Sequence, residues 1–413
     1  MTSPISSTSQ TDKSPLRLLW IASAWAFVVA AGAGVLFRWG MVGGFGEVLT
    51  AAHIRHGHSH LMLMGWATPA LMALMAARWP GQGGRRIDRS VCLVGWTAWV
   101  LAFLSFPAFL IWGYQSVPVG SADLPIAAIL SGLAIFSWYG FAAVYFGAHR
   151  GVKRTPAMRL WDLAVVALVV SSAGAWGVAG LMMAGVDSAL WESVTVHFFV
   201  DLFGGGWLVL GALGVIRSYV KYGDSTNQQV GRWLVGASVA FVFLIGLPRS
   251  YVDESWFVLG SMAAGLLAAG LFLVIQPIWH HLDRWWWRVG LFFAATVAML
   301  AALAIPPLAE WGLRAGLRLF YLHWVFAGVV TMALVVGAYR QWGAQAVNTP
   351  WSWLAAVAAL LLTMLPMTGL WPAELGGIWT VYCVLVGAVA ATVIVTAELI
   401  GLLGARFAER SSR

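Results

Sequence analysis

Residues 58–77 read HSHLMLMGWATPALMALMAA, a run of 20 residues that contains no Lys, Arg, Asp or Glu. A helix of this length and composition can cross the hydrocarbon core of a bilayer, which takes about 20 residues. Similar runs recur along the whole chain, separated by short polar connections. The twelve predicted spans lie near 17–37, 58–77, 90–112, 124–147, 161–184, 190–216, 232–249, 254–277, 285–307, 318–339, 351–370 and 376–404.

The overall composition agrees with a polytopic membrane protein and excludes other classes. Of the 413 residues, 61% are hydrophobic and 10% are charged, whereas a soluble protein carries roughly a quarter charged residues. The same balance excludes a disordered chain. Cys92 and Cys383 both lie in apolar runs, which excludes a disulfide scaffold and a cysteine-based zinc or iron–sulfur site.

The basic residues predict how the helices are oriented. If the N-terminus is inside, 19 of the 24 Lys and Arg residues fall on the inner side, as the positive-inside rule describes. We therefore expect both termini in the cytoplasm, and the net charge of +8 indicates topology rather than nucleic-acid binding. The five basic residues on the outer side are Arg38, Arg55, Arg249, Arg314 and Arg318.

The predicted domain organisation is a single membrane domain with short tails. Residues 1–15 are polar and are expected to form a disordered tail, 16–405 form one transmembrane helical domain, and 406–413 form a short basic cytoplasmic tail. No small-residue cleavage site follows the first apolar run, so we expect it to be a retained span rather than a signal peptide. The sequence shows no strong internal repeat.

Six of the nine histidines fall near the outer ends of three even-numbered spans. They are His53, His56, His58 and His60 at the second span, His197 in the sixth and His323 in the tenth. Ionisable side chains inside a membrane are costly and usually functional, and imidazole binds metal ions and haem iron. Three spans converging at one depth therefore predict a metal or haem site. The alternative is that each histidine hydrogen-bonds a neighbouring helix.

The spacing of the second-span histidines indicates more than one helix face. His58 and His60 are about 200° apart around a helix, so this H-x-H pair could serve two different centres. His56 and His60 share a face if the helix has already begun at His56. We expect His53 and His56, however, to belong to the outer loop. The remaining histidines, at inner helix ends, are interpreted as interfacial residues.

Glycine and aspartate accompany the intramembrane histidines. Gly65 and Gly328 follow His60 and His323 by five residues, which would let a flat macrocycle approach the helix or would serve ordinary helix packing. Asp201 follows His197 by one turn and is predicted to orient that imidazole or to carry protons. Pairing with an arginine is the alternative for this carboxylate.

Three segments resemble motifs of the catalytic subunit of haem–copper oxidases, most closely the nitric oxide reductase branch, and of the NnrS haem and copper membrane proteins. The segments are RHGHSHLMLMGW (55–66), VHFFVDLFGGGW (196–207) and LHWVFAGVVTM (322–332), which together cover 35 residues. Those families also have twelve helices, with histidines on the second, sixth and tenth near the outer side. The resemblance thus implies an all-α, haem–copper-oxidase-like bundle in the bacterial inner membrane.

The resemblance also implies cofactors and their ligands. A haem b would take a second-span histidine and His323 as axial ligands, and we expect His60 in the first role. His58 and His197 would serve a copper ion or a second haem, with Asp201 as an orienting or proton-carrying group. Arginines beside the histidine-bearing segments would pair with haem propionates, unless they are solvated loop residues. These arginines are Arg55, Arg314 and Arg318.

The chain departs from the family at two places. The outer end of the seventh helix reads IGLPRSYVDES (245–255), without the histidine pair that completes the second metal in the enzymes. The tenth helix carries one histidine instead of two. We therefore expect nitric oxide chemistry rather than oxygen reduction if the protein is an enzyme. A separate subunit with a cytochrome c or copper domain would supply electrons.

The functional expectation is accordingly a haem-binding membrane protein in respiratory electron transfer or nitric oxide metabolism. Two alternatives stay open. One is a secondary transporter, because twelve helices with rare buried charges also fit that class. The other is a non-catalytic haem or metal assembly protein, or a nitric oxide stress-response protein, that uses the same histidines.

Overall fold

The computed structural model of the protein describes residues 14–79 and 84–411. Within these ranges twelve helices are long and apolar enough to cross a membrane, so the prediction of an all-α polytopic bundle is confirmed. Spans 1 to 12 are Pro15–Gly43, Ala51–Arg78, Asp88–Trp112, Ile126–Ala148, Pro156–Met183, Ala189–Tyr219, Thr226–Gly246, Glu254–His281, Arg284–Leu303, Leu317–Gln345, Pro350–Met367 and Trp379–Gly404. We call the side of the 44–50 loop the outer face, following the charge distribution.

Spans 2, 6 and 10 share a succession of helix types that the sequence did not predict. Each consists of an outer α-helix, a π-helical segment and an inner α-helix. The pieces are Ala51–His60, Leu61–Ala67 and Thr68–Arg78; Ala189–Asp201, Leu202–Val209 and Leu210–Tyr219; and Leu317–His323, Trp324–Thr331 and Met332–Trp342. A π-helical turn is rare and frequently occurs at functional sites.

The other elements complete the bundle. Spans 1, 3 and 12 belong to helices Ser14–Gly43, Gly84–Trp112 and Trp379–Ser411, and spans 7, 8, 10 and 11 end in the 3₁₀ turns Val239–Gly246, Gln276–His281, Gly343–Gln345 and Leu365–Met367. The outer connections hold an antiparallel hairpin of Val117–Val119 and Ala122–Leu124, the short helix Pro306–Arg314 and the 3₁₀ turn Ala373–Leu375.

Spans 2, 6 and 10 form the centre of the bundle. Their inner helices contact one another pairwise, and all residues of Thr68–Ala77 are buried. The outer helices differ, because neither Ala189–Asp201 nor Leu317–His323 contains a single buried residue. The centre is therefore tightly packed in its inner half and open in its outer half, where the histidines lie.

The chain repeats one arrangement every four spans. The last residue before the π-helical segment is His60 in span 2, Asp201 in span 6 and His323 in span 10. In the groups formed by spans 1–4, 5–8 and 9–12, the third and fourth spans pack along one another. This recurrence lies in the backbone and in a few positions, which is why the sequence showed no strong repeat.

Hydrogen bonds between the central spans follow the same register. Trp66 Nε1 donates to Thr331 Oγ1 at 3.2 Å, and Trp207 Nε1 donates to Thr68 Oγ1 at 3.1 Å. We count positions from His60, Asp201 and His323, the residues before the π-helical segments. Each bond then joins the sixth position of one central span to the eighth position of another. At the third corner the corresponding positions are Val209 and Val329.

Helix boundaries depart from the predicted ones at the ends of the chain and in span 2. His53 and His56 were expected in a loop, and this is wrong: the helix begins at Ala51 because Thr50 caps it, its side chain accepting from the His53 N–H. The last helix continues to Ser411, so the predicted boundary at 406 falls inside it. Residues 1–13 of the expected disordered tail lie outside the described part of the chain.

Candidate functional site

The His58 side chain faces spans 1 and 10. Its Nδ1 lies 2.8 Å from the Ala30 carbonyl oxygen of span 1, and a Cβ on Gly34 would approach the imidazole Cε1 to 3.2 Å. Gly34 thus leaves space for the ring against span 1. The imidazoles of His58 and His323 lie close enough to influence each other electrostatically.

His323 has the same hydrogen-bonding arrangement as His58. Its Nδ1 lies 2.8 Å from the carbonyl oxygen of Leu319, one turn earlier in span 10. A carbonyl can only accept, so in both residues Nδ1 carries the proton and Nε2 keeps its lone pair. Metal-bound histidines typically donate their other ring N–H to an acceptor of this kind, which fixes the tautomer.

Arg38 lies beside this pair and was not singled out in the sequence as a site residue. The residue is 7% exposed, and its charge acts on both His58 and His323. Its hydrogen bond to the Met41 sulfur, at 3.4 Å, is to a weak acceptor, and among the described residues no carboxylate pairs with it. The only sequence signal was that Arg38 is one of few basic residues on the outer side.

His60 faces away from this pair, as the 200° separation predicts. Its ring stacks on Phe109 with 4.2 Å between centroids, and its Nε2 lies 3.1 Å from the Tyr114 hydroxyl. Burial raises the pKa of Tyr114 to about 12, so the phenol is protonated at neutral pH. His60 Nδ1 is buried and has no hydrogen-bond partner among the described residues.

A cavity of about 510 Å³ adjoins His60 on this side of span 2. Residues of spans 2, 4, 5 and 6 line it, together with Tyr114 beyond the end of span 3. His56 lies one turn before His60 and also lines the cavity, so the expected common face of these two residues is confirmed. Arg55, predicted as a propionate partner, also lines this cavity.

Span 6 contributes a charged cluster instead of a free imidazole. Arg318 Nη2 of span 10 lies 2.6 Å from His197 Nδ1 and 3.1 Å from Asp201 Oδ1. The alternative of an arginine partner for Asp201 is therefore the one observed. Because a guanidinium can only donate, His197 Nδ1 is the acceptor, and a neutral ring carries its proton on Nε2.

The other predicted residues are dispersed. Arg314 lies at the surface, 3.7 Å from Glu310 in a mostly exposed pair. Gly328 packs against Phe292, which a Cβ would approach to 2.5 Å, so this glycine serves helix packing. Within the described residues no three His, Cys, Asp or Glu side chains form a group that could hold a metal ion.

The structure brings together only part of the predicted site. Spans 2, 6 and 10 converge as expected, and His58 and His323 lie close enough to influence each other electrostatically, whereas His60 and His197 contact other neighbours. The described residues therefore offer one site with two free imidazole nitrogens and a buried cation. The roles of His60 and of the three arginines remain predictions.

Comparison with known proteins gives no further guide. No protein-family model matches the chain. No curated protein matches it with significance either.

Proposed function

We propose that this protein is a haem-binding protein of the bacterial inner membrane, with a haem–copper-oxidase-like arrangement of its helices. One haem b is held between spans 2 and 10, in the outer half of the bundle. Its role is respiratory electron transfer or nitric oxide metabolism. A bound haem with two imidazole ligands supplies one-electron redox chemistry at its iron.

The observation that carries the proposal is the pair of imidazoles His58 and His323. Both fix Nδ1 on a backbone carbonyl and both leave Nε2 as a lone-pair donor, which is the form of histidine that binds iron. His58 supports this role better than His60, whose Nε2 is engaged by Tyr114. The ligand pair that we propose is therefore His58 and His323.

Arg38 fits the second requirement of a haem site. Haem carries two propionates, and an arginine buried beside them forms strong charge-assisted hydrogen bonds. A buried cation without a carboxylate partner is otherwise costly inside a membrane. We assign Arg38 as the propionate partner on this basis, in addition to the arginines predicted from the sequence.

A copper ion or second haem at His197 has less support. Arg318 already occupies Nδ1 of this imidazole, so the ring could bind a metal only if the cluster with Asp201 rearranged. The same buried ion pair favours the alternative of a secondary transporter, because charges of this kind often mark an ion pathway. Haem content separates the two functions.

The test is the haem content and the reduced-minus-oxidised optical spectrum of the purified protein. We expect a bound b-type haem, and we expect His58→Ala and His323→Ala to abolish its low-spin spectrum. His60→Ala is the matched control, since it removes a histidine two residues away on the other face, and it should retain the spectrum.

Three results would contradict the proposal in different ways. Purified protein with neither haem nor copper excludes the function. A spectrum that survives in His323→Ala excludes the span 10 ligand. Loss in His60→Ala with retention in His58→Ala would assign the axial role to His60, as the sequence predicted.

A further inference from the structure

A second cavity, of about 480 Å³, lies at the inner face between the ends of spans 2 and 6 and the start of span 5. Arg78 and Trp79 contribute from the end of span 2, Arg217 and Lys221 from the end of span 6, and Thr155 from the start of span 5. It lies at the opposite end of the bundle from the histidine pair, so it is independent of the proposed haem site.

The charge of this pocket is one-sided. Three of its described lining residues are cationic and none is acidic. The carboxylate of Asp224 is already held by Arg159 at 2.5 Å and by Arg232 at 2.8 Å. Span 5 also begins here without an acidic residue in its first turn, and the positive end of its helix dipole adds to the field.

The arginines are held in place by backbone and hydroxyl groups rather than by acidic partners. Arg78 Nη2 donates to the Ser218 carbonyl at 2.7 Å, and its guanidinium lies 4.1 Å from the Tyr219 ring centre. Arg217 Nη1 donates to the Val220 carbonyl at 2.8 Å. These contacts position the side chains, and among the described residues neither arginine forms a salt bridge with a carboxylate.

Two lining residues also carry donors without acceptors. Arg217 is 4% exposed, and its Nε–H has no hydrogen-bond partner among the described residues. The same holds for the indole N–H of Trp79. Buried donors are nearly always satisfied in folded proteins, so a ligand with several acceptor oxygens would complete this pocket.

We propose that the pocket binds a phosphate anion, which in the membrane is the headgroup of an anionic phospholipid. Phosphate supplies a negative charge and several acceptor oxygens, which match the cations and the unpaired donors. Basic pockets between helices on the cytoplasmic side are suited to such headgroups. The pocket lies at the ends of the membrane-spanning helices, on the face where the chain concentrates its basic residues.

The test is native mass spectrometry of the full chain in detergent, titrated with phosphatidylglycerol or phosphatidylcholine, with inorganic phosphate as a competitor in a third arm. We expect phosphatidylglycerol to bind more tightly than phosphatidylcholine. Each basic residue near anionic lipid contributes a factor of about five in affinity. Lys221→Gln should therefore weaken phosphatidylglycerol binding about fivefold, and the double variant with Arg78→Gln should weaken it further.

Lys153→Gln is the matched control, because Lys153 is an exposed lysine of another inner loop and does not line the pocket. It should leave the affinity unchanged. Displacement of the lipid by inorganic phosphate supports the site and shows that soluble phosphate also enters it, while no displacement assigns the site to lipid. Equal binding of the two lipids, or equal losses in Lys221→Gln and Lys153→Gln, would overturn the proposal.

Discussion

At the scale of single residues, the hydrogen bond at Nδ1 decides what each intramembrane histidine can do. In His58 and His323 this nitrogen donates to a carbonyl, so Nε2 remains a ligand atom. In His197 it accepts from Arg318, and the other nitrogen carries the proton. The same residue type thus keeps a lone pair available to a ligand in His58 and His323 and forms part of a charged cluster in His197.

The cluster with Arg318 leads to a stability prediction. Arg318→Met leaves the carboxylate of Asp201 without its cation, and the Asp201 side chain is only 14% exposed. Removing one partner of a buried ion pair costs about 3–5 kcal/mol, and we expect a loss near the lower end because Arg318 is itself 29% exposed. The loss is measured as the difference in the free energy of unfolding in detergent between Arg318→Met and the parent.

Arg314→Met is the control for this substitution. Arg314 makes a helix-surface pair with Glu310 in which the side chains are 73% and 49% exposed. Such pairs are worth less than about 1 kcal/mol, so this variant should unfold almost as the parent does. Equal losses for both arginines would contradict a special role for the buried pair.

Asp224 gives a prediction for the effect of pH. Burial alone would raise the pKa of this carboxyl, but hydrogen bonds and charges from Arg232, Arg159 and Arg217 hold the pKa below its usual value. A depressed pKa contributes stability that is present above the unfolded-state pKa, near 3.8, and is lost as pH falls through the folded-state value. Unfolding measured from pH 7 down to pH 3 should therefore show acid destabilisation.

The variant Asp224→Asn should remove this component of the pH dependence. The remaining acid destabilisation, which comes from other carboxyl groups, should be unchanged. If Asp224→Asn kept the full pH dependence of the parent, the ion pairs of Asp224 with Arg159 and Arg232 would not contribute to acid destabilisation.

At the scale of helices, the π-helical segments place glycines against neighbouring spans. A Cβ on Gly206 would lie 2.5 Å from the Ala167 Cβ of span 5, whereas one on Gly205 would make an ordinary contact of 3.5 Å with Val239. We expect Gly206→Ala to destabilise the protein by about 1–3 kcal/mol, as overpacking does.

Gly205→Ala serves as the neighbouring control and should have little effect on thermal unfolding. Both substitutions change the same helical segment by one methyl group, so intrinsic helix propensity cancels in the comparison. If the two variants unfold alike, close packing of spans 5 and 6 at Gly206 is not what stabilises this segment.

The sequence predicts the helices well and the partners of the histidines poorly. Apolar runs give all twelve spans, and the H-x-H spacing gives two faces for His58 and His60. The sequence does not predict the rotation of span 2 about its axis, because this rotation depends on which side of the helix another span can approach. Gly34 provides that approach for His58, and nothing in the local pattern distinguishes Gly34 from other glycines of span 1.

The beginning of span 2 shows a second limit. The segment AAHIRHGH is polar enough to suggest a loop, so hydropathy places the start of the helix near residue 58. Thr50 nevertheless caps a helix from Ala51 onward. Cap and tertiary packing outweigh the low hydropathy of this segment, and His56 is thereby brought onto the face of His60.

At the scale of the whole molecule, the four-span recurrence creates three equivalent positions, of which two carry histidine and one carries aspartate. His323 lies near His58. His60 contacts the Tyr114 hydroxyl, and Asp201 pairs with Arg318. Among the described residues, only the first of these neighbourhoods holds two imidazoles whose Nδ1 lies on a backbone carbonyl and whose Nε2 is free. A single such pair among the three equivalent positions is consistent with the proposal of one haem.

The orientation of the bundle is a prediction that belongs to this scale. In a background of Cys92→Ala and Cys383→Ala, a cysteine at Gly46→Cys lies in the 44–50 loop, and one at Gly223→Cys lies between spans 6 and 7. A membrane-impermeant maleimide should label the first in intact cells and the second only after permeabilisation, because the basic loops are expected inside. The reverse pattern would contradict cytoplasmic termini.

The central claim, haem held by His58 and His323, is tested most directly by chemical rescue. The electron paramagnetic resonance spectrum of purified, oxidised His58→Gly is recorded with and without added imidazole, beside His60→Gly. We predict a low-spin signal in the parent and in His60→Gly, a high-spin signal in His58→Gly, and recovery of the low-spin signal with imidazole. A low-spin signal that is unchanged in His58→Gly without imidazole would contradict the account.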